Sequence, residues 1–66
     1  MDNAEFKKSV IKKINKARSD GFTFMEIEDV CPEGISLLTI CGMLNAQSYP
    51  IEVWKMVDEA LDRLEI

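Results

Sequence analysis

Residues 34–46, Gly-Ile-Ser-Leu-Leu-Thr-Ile-Cys-Gly-Met-Leu-Asn-Ala, restrict the chain more than any other stretch. Gly34 can take the left-handed conformation that a tight turn needs. Ser36 can accept a hydrogen bond from an amide of a first helical turn, which makes it an N-cap. Asn45-Ala46, followed by Gln47-Ser48 and Tyr49-Pro50, ends the segment. The stretch therefore predicts a turn, a cap, a short helix over Ile35–Asn45 and a stop.

The flanking sequence predicts three more helices. From Asp2 to about Ser19, the residues Phe6, Val10, Ile14 and Ala17 share one face, and Ile11 widens it. Asp2 or Asn3 suits the N-cap and Glu5 the first turn, while Lys12, Lys13, Lys16 and Arg18 complement the C-terminal half of the dipole. Lys8, Lys12 and Lys16 form a row on the side away from the core; it reads as a solvated face or as a phosphate-contacting edge. Asp20-Gly21 stops this helix. Thr23 and Glu26 have the spacing of a capping box. Phe24, Ile27 and Val30 then face inward until Pro32 ends the second helix. Glu26, Glu28, Asp29 and Glu33 read as its solvated acidic outside. Pro50 fits the first position of the last helix, in which Val53, Trp54, Val57, Ala60, Leu61 and Leu64 recur with helical period. Trp54 is its expected core or dimer anchor. Ile51 and Met56 lie off that stripe and are either exposed singly or part of a second contact face.

Sixty-six residues allow one domain, 1–66, with a core near the lower limit for unaided folding, so a homodimer is expected. Net charge is −4, which argues against a polyanionic partner, but the charge is uneven. Residues 1–20 carry six Lys/Arg against three Asp/Glu; residues 21–66 carry two against nine. The first helix is a basic arm on an acidic body. With no histidine and only Cys31 and Cys41, no zinc spacing exists and a Ser or Cys nucleophile has no evident general base. Neither a metal nor a cofactor is expected, nor catalysis on a small-molecule substrate. The charged opening residues and the lack of any long apolar run lead us to expect a cytoplasmic protein with free thiols and no membrane association.

The run Ile35-Ser36-x-x-Thr39-Ile40-x-x-x-Leu44-Asn45-Ala46-x-x-x-Pro50, continuing to Val57-x-x-Ala60-Leu61, resembles the second half of the phage-repressor (Cro/Xre-type) helix-turn-helix. Upstream, Thr23-x-x-Glu26-Ile27 is similar to that family's helix opening. The resemblance covers about Thr23 to Leu61. It implies an all-α, lambda-repressor-like compact bundle of four or five helices, binding duplex DNA as a dimer. By the family pattern the base-reading positions are Leu37, Leu38 and Gly42, with Cys41 nearby; Ser36, Thr39 and Asn45 could reach phosphates.

The chain departs from the family in three places. Glu26 to Ile35 is about two residues longer, Glu28 replaces a small residue, and Ala46 stands for the closing glycine. The reading positions are also nearly devoid of hydrogen-bonding side chains, and leucines can meet only thymine methyls. Two functions therefore stand open. One is a small DNA-binding transcriptional regulator of phage or mobile-element type. The other is a protein-interaction module on the same scaffold, an antirepressor, inhibitor or acidic DNA mimic, docking through Leu37, Leu38, Cys41, Ile51 and Met56.

Overall fold

Asp20-Gly21, Pro32 and Tyr49-Pro50 become the helix boundaries. In the computed structural model they separate α1 (Asn3–Ser19), α2 (Phe24–Val30), α3 (Leu37–Leu44) and α4 (Ile51–Asp62). The structure describes residues 3–45 and 47–64, among which there is no strand. The expected all-α class is found, with four helices rather than five among the described residues. Asp2 and Ala46, to which the sequence pattern assigned a cap and a stop, lie outside the described residues.

Each end has a local chemical cause. α1 closes in a Schellman motif: Phe22 N–H donates to the Ala17 carbonyl at 3.0 Å and Gly21 N–H to Arg18 at 3.1 Å. Gly21 sits at φ 104°, which a side chain would strain. α2 opens on the Thr23–Glu26 capping box: the Thr23 hydroxyl accepts from Glu26 N–H and the Glu26 carboxylate accepts from Thr23 N–H, both at 3.1 Å. Pro32 follows its C-cap, Cys31. A tight turn then carries Gly34 at φ 97° and closes with Ile35 N–H donating to Pro32. Ser36 is extended and accepts from Thr39 N–H, so α3 begins at Leu37, two residues later than the spacing predicts. Pro50, likewise, is the N-cap of α4 and not its first helical residue. Thr23→Ala is expected to lower stability by about 1 kcal/mol, measured by urea unfolding, because Glu26 N–H loses the hydroxyl that accepts from it while the backbone half of the box remains.

α1 packs on α4, α4 on α2 and α2 on α3, so α1 and α3 share little contact. The core takes Val10, Ile14 and Ala17 from α1, Ile27 from α2, Ile35, Ile40 and Met43 from the turn and α3, and Trp54, Val57 and Leu61 from α4. Phe6, Ile11, Phe22, Phe24, Val53 and Leu64 pack around it, half-buried. The Cα radius of gyration, 10.7 Å, equals the roughly 10.8 Å expected of a folded chain this long, so the four helices form one body.

Polar contacts fix the α1–α4 pairing. The Lys13 ammonium donates to Asp58 at 2.7 Å and to Asp62 at 2.9 Å. Lys7 sits 5.7 Å from the centre of the Trp54 ring, within cation–π range. The Asp58 hydrogen bond, then that of Asp62, raises the Lys13 pKa above its ordinary 10.5, against a smaller opposing effect of burial. A raised lysine pKa adds stability that is complete below the unfolded value and disappears as pH climbs through the folded one. Lys13→Met should therefore cost about 0.5–1 kcal/mol at pH 7, a value discounted for solvent screening. It should also flatten the decline of stability above pH 10.5 in denaturation curves.

Candidate functional site

The residues singled out by sequence fall on two separate surfaces. Lys8, Lys12 and Lys16 are exposed on α1, one per turn, and form no ion pair among the described residues. Ser36, Leu37, Leu38, Thr39, Cys41, Gly42 and Asn45 lie in and around α3. The two groups sit on the pair of helices that share little contact, and no Lys or Arg occurs from Ser19 to Trp54. The α2–α3 unit thus has no cation of its own.

Within α3 the structure redistributes the expected roles. Ser36 and Thr39 are turned toward each other, their hydroxyls 3.4 Å apart, as parts of the helix cap. The Asn45 side-chain amide donates to the Cys41 carbonyl at 3.0 Å and closes the other end. Gly42 is not a groove-facing position: it is buried, and a Cβ there would collide with the Tyr49 hydroxyl, which folds over it from the following loop. Leu37 and Cys41 are half-buried. Ile51 is also half-buried and packs against the core with part of its side chain. Leu38, by contrast, is 81% exposed, Met25 on α2 68% and Met56 on α4 37%.

Glu28 has a role that the sequence did not show. Rather than facing solvent with its acidic neighbours, its carboxylate crosses the α2–α3 turn and accepts the Leu37 amide at 2.6 Å. Helix N-termini carry unpaired amides and a positive dipole end, so a carboxylate there is stabilising. It also takes the first amide that an incoming phosphate would use. The signal was present in sequence as the replacement of a small residue by Glu28, but its partner, nine positions on, depends on the turn. Glu28→Ala should cost about 1 kcal/mol and speed amide exchange at Leu37, read by hydrogen exchange.

The Cys31 thiol is pushed up from its ordinary value of 9.0, first by burial and then by Glu28, with Arg63 opposing. Cys31 and Cys41 are both free. An open groove of about 460 Å³ runs between the C-terminal ends of α1 and α4, floored by Ala17, Phe22, Leu61 and Leu64. Its polar lining is Lys13, Lys16 and Asp20, and Lys13 is already engaged by Asp58 and Asp62. Among the described residues no group of His, Cys, Asp or Glu could hold a metal ion, and no helix is long and apolar enough to cross a membrane. Comparison with family models, with curated proteins and with solved structures found no match.

Proposed function

We propose that the chain is a protein-interaction module on a helix-turn-helix, lambda-repressor-like scaffold, docking through the leading turn of α3. The exposure of Leu38, at 81%, carries this reading. A helix that reads bases presents hydrogen-bonding side chains at its leading edge. Here that edge presents a leucine, with Ser36, Thr39 and Asn45 committed to capping and Glu28 on the first amide. An apolar side chain held out on a rigid, doubly capped helix is suited to entering a cleft on another protein.

A second reading, a DNA-binding transcriptional regulator of phage or mobile-element type, draws on the exposed Lys8–Lys12–Lys16 row and on the resemblance of the spacing over α3 and the loop that follows it. In it the lysines grip phosphates and α3 contributes apolar contact alone. Three lysines would give a log–log salt slope of about −2.7.

Site-specific photo-crosslinking separates the readings. A photoreactive residue at Leu38, activated in the producing cell, is expected to give a discrete adduct that resists nuclease and is lost on protease treatment. A nuclease-sensitive adduct, or equal labelling from a control position at Lys12, would count against docking through α3.

A further inference from the structure

The groove between the C-terminal ends of α1 and α4 includes no residue of α3 and, of the lysine row, only Lys16. Its walls have local causes. The Schellman turn at Gly21 folds Phe22 back toward the end of α1, where the Phe22 amide donates to the Ala17 carbonyl at 3.0 Å. Ala17 is small, so the space between Phe22 and the Leu61–Leu64 end of α4 stays open. The concavity of about 460 Å³ has an apolar floor and the size of a small-ligand site.

The polar groups at its rim decide what it accepts. Lys13 is held by Asp58 and Asp62. The carbonyls of Lys16, Ala17 and Arg18 already accept from the amides of Asp20, Phe22 and Gly21. What is left is the Lys16 ammonium and the Asp20 carboxylate, both exposed and neither in an ion pair among the described residues. Asp20 N–H donates to the Lys16 carbonyl at 2.9 Å, so the two residues keep the helical i, i+4 spacing, about 5–6 Å between Cβ atoms. One free cation and one free anion, neighbours beside an apolar floor, complement a small zwitterion with an apolar body. An anionic amphiphile would meet Asp20 at like charge, and a cationic one Lys16.

We infer that the groove binds a free apolar α-amino acid. Its side chain lies on Ala17, Phe22, Leu61 and Leu64, its carboxylate meets Lys16 and its ammonium meets Asp20. The site goes beyond docking through α3 and does not rest on it.

The test titrates the ¹⁵N-labelled protein, at neutral pH and matched ionic strength, with L-leucine and two analogues: 3-methylbutylamine, which lacks the carboxylate, and 4-methylpentanoate, which lacks the ammonium. Glycine is the control without an apolar body. L-Leucine is expected to shift the amides of Ala17, Asp20, Gly21, Phe22 and Leu61 saturably, with a Kd on the order of 1–10 mM for so small a ligand. Each analogue should bind about threefold or more weakly, the size of one exposed ion pair, and glycine should shift none of these amides. Lys16→Met should reduce leucine to the affinity of 3-methylbutylamine, and Asp20→Asn to that of 4-methylpentanoate. Both positions are exposed, so unchanged amide spectra away from the groove serve as the control for folding. 4-Methylpentanoate binding as tightly as leucine would overturn the assignment in favour of an anionic amphiphile, and 3-methylbutylamine doing so in favour of a cationic one. A preference for leucine that survives both substitutions, or no saturable shift around the groove with any probe, would overturn the site itself. Docking through α3 stands or falls separately, on the crosslink from Leu38.

Discussion

Trp54→Ala is expected to leave little folded protein at 25 °C. The indole is 2% exposed and belongs to a core that draws on all four helices. Truncating a buried aromatic costs about 3–5 kcal/mol, through lost transfer energy and the cavity left behind. The single core of a domain this short rarely supplies more than about 3–5 kcal/mol of net stability. Far-ultraviolet circular dichroism during urea titration should show the transition moved to very low denaturant. Trp54→Phe refines the prediction. The indole N–H is buried with no acceptor among the described residues, and an unmade hydrogen bond costs about 1–3 kcal/mol. Phenylalanine removes that donor while keeping a ring, so its loss should be under half that of alanine. Equal losses would show that the N–H or the full indole outline matters more than the burial geometry implies.

Leu38→Ser is expected to do the opposite, sparing the fold and removing the interaction. With 81% of Leu38 exposed, the mutation creates no cavity, and surface changes of this kind stay within about 0.5 kcal/mol. The thermal midpoint should hardly move. The nuclease-resistant adduct from a photoreactive residue at Met25, the exposed methionine of α2, should fall at least about tenfold, as for an apolar anchor at the centre of a contact. An adduct unchanged by Leu38→Ser would mean that Leu38 is one of the scattered apolar side chains any surface carries.

The two predictions divide the molecule as the sequence does. Features whose causes are local were legible. Thr23 and Glu26 cap across three residues, Ser36 caps α3, and Gly21 and Gly34 take the positive φ their turns require. The helical stripes of α1 and α4 also placed Val10, Ile14, Trp54 and Val57 in the core. What was not legible depends on where separate elements meet. Glu28 looked like one more solvated acid until the turn brought it to Leu37. Gly42 looked open until the loop laid Tyr49 over it. Lys13 was one cation among several on α1 until packing set Asp58 and Asp62 beside it. The candidate site suffered most, because spacing places residues on a helix face but does not say which of their polar groups the fold itself consumes. Ser36, Thr39 and Asn45 had reach enough for a phosphate; their hydrogen bonds go to α3.

We propose that the leading turn of α3 meets protein and not duplex DNA. Titrating ¹⁵N-labelled protein with a short duplex at low salt, and following backbone amides, tests it most directly. No saturable shifts are expected at Leu37, Leu38 or Cys41, with any response confined to the Lys8–Lys12–Lys16 face of α1 and abolished by moderate salt. Saturable shifts across the α3 amides, depending on the sequence of the duplex, would contradict it.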